Sequence, residues 1–343
     1  MNRTQPPTLE DIALRAGVSV ASVSRVLNGK KKENRPTSAK RSERIRNLAL
    51  QMGYRPNVAA QSILRGTFRA VGFVTCGDLG NDWYPISALN SIHSALEAAQ
   101  WRLTFNELPA TKINDSNLVP NLFRETSVDG LIINLLPVFS EDLVEYFETQ
   151  PLPCVWLNLK RSYRSVYPDE ASGAALAVNN LLSKGRRRIG YFSRLSAPAT
   201  HFSALDRFAG YCSALKTARL SPHRHLELIS SSWEATQAIK LLERAHLFLK
   251  SFPDVEAVVC YEYEEAICLA LAAERLGIRT PENLDIIGFH EREIRSHSCV
   301  PIPTAIIPFR QVGAQAVEML WQMINSKVME APSVAVPYTS ILV

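Results

Sequence analysis

The chain has 343 residues, 46% of them hydrophobic and 21% charged, enough for about two large domains with packed cores, which excludes wholesale disorder and fibrous repeats. No uninterrupted apolar run reaches about 18 residues, so a membrane span is excluded as well. The net charge of +5 is unevenly held: residues 1–69 carry 14 Lys/Arg against four Asp/Glu (+10), and residues 70–343 carry 24 against 29 (−5), so a basic head suited to a polyanion precedes a slightly acidic body.

The first helix is predicted after Thr8, with Asp11 three residues on to share the capping of orphan amides. Leu9, Ile12, Ala13 and Ala16 form its apolar stripe, and Gly17 ends it. Ser19 caps a second helix, Val20 to about Asn28, with Val23, Val26 and Leu27 inward. Two helices joined by about three residues cross steeply, which is helix-turn-helix geometry. In it the start of the second helix enters the major groove, leaving Val20, Ala21, Ser24 and Arg25 toward base edges. Arg25 suits a bidentate contact with guanine, and Val20 and Ala21 suit thymine methyls. A third helix runs from about Thr37 or Ser38 to Met52, with Ile45, Leu48 and Ala49 inward, and Gly53 ends it.

The run TLEDIALRAGVSVASVSRVLNG, followed by MGYRPNVAAQSILRG, resembles the DNA-binding head of the LacI/GalR family of bacterial transcription regulators. The resemblance implies DNA contacts from Thr8, Ser19, Asn28, Ser38 and Tyr54 as well. The connection Gly29 to Thr37 is about four residues longer than the family pattern and carries Lys30, Lys31 and Lys32, which serve either as phosphate contacts or as a solvated loop. Asn57 to Gly66 resembles the family's hinge helix, implying contacts from Asn57 and Ala60 and a minor-groove wedge. Counting from Pro56 places the wedge at Ile63, with Leu64 beside it.

From residue 70 short apolar runs alternate with amphipathic stretches. Strands are predicted at 71–75, 130–135, 154–157, 189–193, 257–261, 286–289 and 304–307. Helices are predicted at about 86–100, 141–149, 170–184, 203–218, 234–250, 262–277 and 309–326. Such alternation gives parallel sheets covered by helices, and the length calls for two lobes that meet at a cleft by the strands' carboxyl ends. The boundaries expected are 1–56 for the head, 57–69 for the hinge, and 70–343 for the body, with lobes of about 70–160 and 161–343 and crossover strands near 290–330. The six cysteines form no C-x-x-C pair, as expected of buried free thiols in a reducing compartment. The charged N-terminus does not read as a signal peptide, so a cytoplasmic location is expected. No P-loop, G-x-S-x-G or G-x-G-x-x-G occurs, His290-Glu291 lacks the second histidine of H-E-x-x-H, and His223-x-His225 reads as surface. Neither catalysis, a metal nor a cofactor is expected.

The body also carries family-like blocks: Val166-Tyr-Pro-Asp169-Glu-Ala-Ser-Gly173 resembles V-x-x-D-N-x-x-G, Arg207-Phe-Ala-Gly210-Tyr211 resembles R-x-x-G-[YW], and Pro281 to Phe289 resembles P-x-D-[IV]-x-[VI]-x-G-[FY]. The fold implied is a small all-α helix-turn-helix head on an α/β, two-lobed, periplasmic-binding-protein-like sensor. Effector contacts implied are Asn134, Asp169, Arg207 and Trp233, with Glu262 and His290 standing where the pattern has other polar residues. Arg207 would hold an anionic or hydroxylated ligand, and Glu262 would pair with Arg207 or accept ligand donors.

The function implied is a homodimeric, sequence-specific transcription regulator, a repressor, that binds a palindromic operator and responds to a small polar effector. Two alternatives use the same body: an effector-independent DNA-binding protein, and a soluble small-molecule binding protein. The second leaves residues 1–69 without a use.

Overall fold

The structure, a computed structural model, describes residues 6–28, 36–56, 62, 66–77, 85–109, 127–135, 141–194, 201–226, 235–292 and 301–342. Two compact units emerge, residues 1–69 and 70–343.

Among the described residues three helices build the head: α1 (Leu9–Ala16), α2 (Val20–Asn28) and α3 (Pro36–Gln51). Thr8 and Asp11 cap α1 reciprocally, the Thr8 amide donating to Asp11 Oδ2 at 2.7 Å and the Asp11 amide to Thr8 Oγ1 at 3.3 Å. Gly17, at φ +65°, supplies the left-handed residue that turns the chain out of α1. Ser19 Oγ then accepts the Ser22 amide at the start of α2. Ile12, Ala13, Ala16, Val23, Ile45 and Ala49 close a small core, with Tyr54 packed against it. α3 starts one or two residues earlier than its polar sequence suggests, because a proline is well placed in a first helical turn.

Among the described residues the body holds two six-stranded sheets. The first is ordered β11-β5-β4-β3-β1-β2, from β1 (Ala70–Gly77), β2 (Arg102–Pro109), β3 (Gly130–Asn134), β4 (Cys154–Leu157), β5 (Ser165–Pro168) and β11 (Val334–Val336). The second is ordered β12-β10-β9-β8-β6-β7, from β6 (Ile189–Ser193), β7 (His223–Leu226), β8 (Ala257–Cys260), β9 (Asp285–His290), β10 (Thr304–Ile306) and β12 (Ile341–Leu342). All pairings are parallel except β10 with β12. Strand order reverses between β1 and β3 in one lobe and between β6 and β8 in the other, and the crevice of such a sheet lies at that reversal.

Helices α4 (Ile86–Ala98), α5 (Glu141–Thr149) and α10 (Phe309–Ser326) belong with the first sheet; α6 (Glu170–Ser183), α7 (Phe202–Thr217), α8 (Ala235–Ser251) and α9 (Tyr263–Arg275) belong with the second. Two crossings are close enough to require glycine. A Cβ on Gly210 of α7 would lie 2.2 Å from the Ala171 carbonyl of α6, and one on Gly313 of α10 would lie 2.4 Å from the Ala88 carbonyl of α4. The chain leaves the first sheet after Pro168, not near residue 160, because β5 still pairs with β4; it re-enters with α10 and β11 and leaves again for β12. Cys154 and Cys260 are buried, while Cys76, Cys212 and Cys268 are half-buried, and none of these five is in a disulfide.

Candidate functional site

On α2, Val20, Ala21 and Arg25 are exposed and Ser24 is half-buried, on one face, while Val23 is fully buried on the other. A groove beside this face is lined by Ser19, Ser22, Lys40, Arg41 and Arg44. It brings three exposed cations of α3 to the N-terminal end of α2, where orphan amides and the helix dipole favour an anion. Sequence reasoning counted those cations without placing them. Thr8 and Ser19 spend their hydroxyls on caps, Tyr54 leans on the core, and Ser38 is half-buried at the start of α3. The Asn28 side chain, Lys30, Lys31, Lys32, Asn57, Ala60, Ile63 and Leu64 lie outside the described residues, as does Trp233.

In the body, polar side chains gather at the strands' carboxyl ends. Asn134 ends β3 and is 2% exposed, its Oδ1 without a hydrogen-bond partner among the described residues. Asn158, just past β4, is equally buried with its Oδ1 in the same condition. In the second lobe Arg207 of α7, 4% exposed, donates through Nε to Glu170 and through Nη1 to the Tyr261 carbonyl. Its Cζ lies over the Tyr261 and Phe289 rings, 4.7 and 4.5 Å from their centroids. Tyr338 donates to the same Glu170 Oε2 at 2.6 Å. Burial opposes the guanidinium charge, yet Glu170, Tyr338 and Tyr261 together hold its pKa well above the ordinary value.

Of the two roles open to Glu262, pairing with Arg207 is not the one formed: Glu262 pairs with Arg194, which follows β6, and Glu170 takes the arginine. Burial pushes the Glu262 carboxyl up, against the pull of Arg194. Glu265, fully buried behind it, accepts the Arg194 amide at 2.8 Å and the Glu262 amide at 3.0 Å, and burial raises its pKa to about 8. His290 closes β9 with Nδ1 accepting the Arg292 amide at 3.1 Å and its ring edge-on to Tyr263. Asp169 caps α6 through Oδ1 to the Ser172 amide at 3.1 Å. Arg207, Glu262 and His290 thus share one wall with the Asp169–Glu170 corner, and Asn134 stands at the strand ends of the other lobe.

A hydrogen-bond chain crosses between the lobes. His201 Nε2 meets the Asn158 carbonyl at 2.7 Å, Nδ1 meets Ser203 Oγ at 2.9 Å, and Ser203 Oγ meets Tyr261 Oη at 2.6 Å. A carbonyl only accepts, so Nε2 carries the proton, Nδ1 accepts from Ser203, and Ser203 accepts from Tyr261. Burial pushes the His201 pKa below its usual value, consistent with this neutral ring. Lys160 and Asp206, 2.5 Å apart, and the Ser87 amide on Glu291 at 3.2 Å add two further bridges. Sequence reasoning missed Asn158, Arg194, His201 and Glu170. The first two end apolar strands as Asn134 does, so the same signal would have found them; Glu170 occupies the asparagine position of V-x-x-D-N-x-x-G.

A helix-turn-helix head and a two-lobed body with buried polar groups at the carboxyl ends of its strands are the parts of a DNA-binding regulator with a sensor-type domain. Residues 8–57 match the family described as bacterial regulatory proteins, lacI family, and residues 178–342 match the periplasmic binding protein-like domain. Catabolite control protein A of Priestia megaterium is 26% identical over 335 residues, 96% of each chain; the maltose regulon regulatory protein MalI of Escherichia coli (strain K12) is 26% identical over 345 residues, again 96% of each. Among solved structures, the lac repressor dimer bound to operator and the anti-inducer ONPF superposes with a TM-score of 0.76 at 23% identity, over 99% of this chain and 98% of that one. The regulator CelR in complex with cellobiose does so with 0.62 at 19%, over 98% of each. Residues 8–57 are thus a DNA-binding domain of the lacI type and residues 178–342 a periplasmic binding protein-like domain, and the chain is a DNA-binding regulator of transcription. Among the described residues no helix is long and apolar enough to cross a membrane.

Proposed function

We propose that the protein is a cytoplasmic repressor that binds a roughly palindromic operator as a homodimer and whose affinity for it is set by a small polar effector held between the lobes. The reading is carried by the outward row Val20, Ala21, Ser24 and Arg25 on α2 together with two lobes that meet through the His201–Asn158 bridge. Val20, Ala21, Ser24 and Arg25 face the bases, while Ser19, Asn28, Ser38, Tyr54 and Lys30 to Lys32 hold phosphates, and Asn57, Ala60 and Ile63 supply the hinge contacts. The lac repressor structure is a dimer on operator, and CelR is bound to cellobiose; both support the reading. A ligand acts by favouring one lobe closure whose hinge geometry suits or misfits DNA.

A second reading, an effector-independent regulator, draws on the internal partners of Arg207 and Glu262. Operator titrations with and without a metabolite panel, with sedimentation at micromolar concentration, separate the two. Release or tightening by one metabolite on a dimer supports the first reading. Indifference to every metabolite supports the second, and a monomer counts against both.

A further inference from the structure

At the strand ends of the second lobe lies a buried arginine whose charge is already answered from within. Glu170 opens α6, immediately after the chain leaves the first sheet, and is 2% exposed; Arg207 is 4% exposed. Of the guanidinium, Nε is bonded to Glu170, Nη1 to the Tyr261 carbonyl, and Cζ lies over two aromatic rings. Tyr338, from the last passage between the sheets, donates a second hydrogen bond to the same carboxylate oxygen and packs against Gly173, where a Cβ would lie 2.8 Å from its ring. The carboxylate is therefore locked in place by three elements and cannot swing aside for a competing anion without leaving two buried donors unmet. The second cation of this wall, Arg194, is likewise paired with Glu262 and flanked by Glu265. At the strand ends of the opposite lobe two buried acceptors, Asn134 Oδ1 and Asn158 Oδ1, have no partner among the described residues, and an incoming hydroxyl or amine satisfies them where a carboxylate or phosphate does not.

We infer that Glu170 is a specificity-determining residue that makes the cleft reject anionic effectors and accept uncharged molecules rich in hydrogen-bond donors. The inference rests on the effector reading above. An asparagine at this position would leave the Arg207 charge uncompensated beside the ligand; the glutamate cancels it at short range, where the low dielectric makes the cancellation count.

The test uses matched pairs that differ in one charge: glucose with glucose 6-phosphate, ribose with ribose 5-phosphate, and galactose with galacturonate. Binding to the full-length protein is measured by calorimetry for wild type, Glu170→Gln and Glu170→Asp. The expected result is that each anionic member binds wild type at least tenfold more weakly than its neutral partner. Glu170→Gln should cut that ratio at least tenfold by strengthening the anion, and Glu170→Asp, which keeps the charge, should restore it. Where wild type binds neither member, the appearance of anion binding in Glu170→Gln alone supports the inference, and its failure to appear overturns it. An anionic member bound by wild type as tightly as its neutral partner overturns it too, as does a ratio unmoved by Glu170→Gln in a protein whose circular dichroism matches wild type. Operator binding is read in parallel: discrimination without any effect on operator affinity refutes the effector reading and leaves the role of Glu170 standing.

Discussion

Arg25 is exposed at the end of the row that α2 turns outward, and an arginine fork reads guanine through two parallel bonds. Arg25→Ala should weaken operator binding by about 1–3 kcal/mol and relax preference at one base pair per half-site, as read by binding to a substituted operator library. A uniform loss across all sequences would place Arg25 on a phosphate. In the body, Glu265 is the residue whose titration matters most. Burial, reinforced by Glu262, lifts its folded pKa to about 8, above its unfolded value. The folded state then holds more protons than the unfolded one between the two pKa values, so this group's contribution is complete below about pH 4.5 and is lost as pH rises toward 8. Glu265→Gln should flatten that fall, and denaturant unfolding at pH 5, 6.5 and 8 checks it. His201 acts in the opposite sense, since burial lowers its pKa and its contribution is lost as pH falls. For that reason the wild-type and Glu265→Gln curves are compared by difference.

At the scale of elements, the interior strands were legible because a strand covered on both faces reads as an unbroken apolar run: GLIIN in β3, CVWL in β4 and AVVC in β8 are buried at every position. The edge strands were not. RLTFNELP in β2 mixes charged and apolar residues because one face is solvated, and HRHL in β7 carries no apolar run at all. β5 and β11 are four and three residues long, and their pairing depends on partners 168 positions away, such as Val166 with Val334, which no local pattern encodes. The cleft was half legible for a related reason. A polar residue ending an apolar strand marks Asn134, but that Arg207 meets Glu170 rather than Glu262 is set by packing between α6 and α7. Two elements outside the described residues make predictions of their own. Register from Pro56 puts Ile63 at the wedge, so Ile63→Ala should reduce operator affinity and DNA bending more than Leu64→Ala, as read by gel shift and circular-permutation bending. If each head neutralises about four or five phosphates, the log–log salt slope should be roughly −7 to −9, and deleting residues 30–35 should flatten it by about 2 while leaving the preferred sequence unchanged.

For the whole molecule, the interleaving of the two lobes matters more than either sheet. The first sheet begins at Ala70 and is completed by Val334–Val336; the second begins at Ile189 and is completed by Ile341–Leu342. A chain stopped after residue 330 would lack both closing strands and the Tyr338 lock on Glu170. It should lose the cooperative unfolding of the body, measured by near-ultraviolet circular dichroism during a denaturant titration. A retained transition would show that β11 and β12 are dispensable. The same arrangement governs how the protein is made. At about 5–20 residues per second, β5 leaves the ribosome roughly ten to thirty seconds before β11 arrives to cover its open edge. Throughout that interval the nascent chain displays an unpaired, apolar-backed strand able to recruit the same segment of a neighbouring nascent chain. Translation speed and chaperone supply, rather than final stability, should therefore limit the yield of active regulator in a cell that overproduces it.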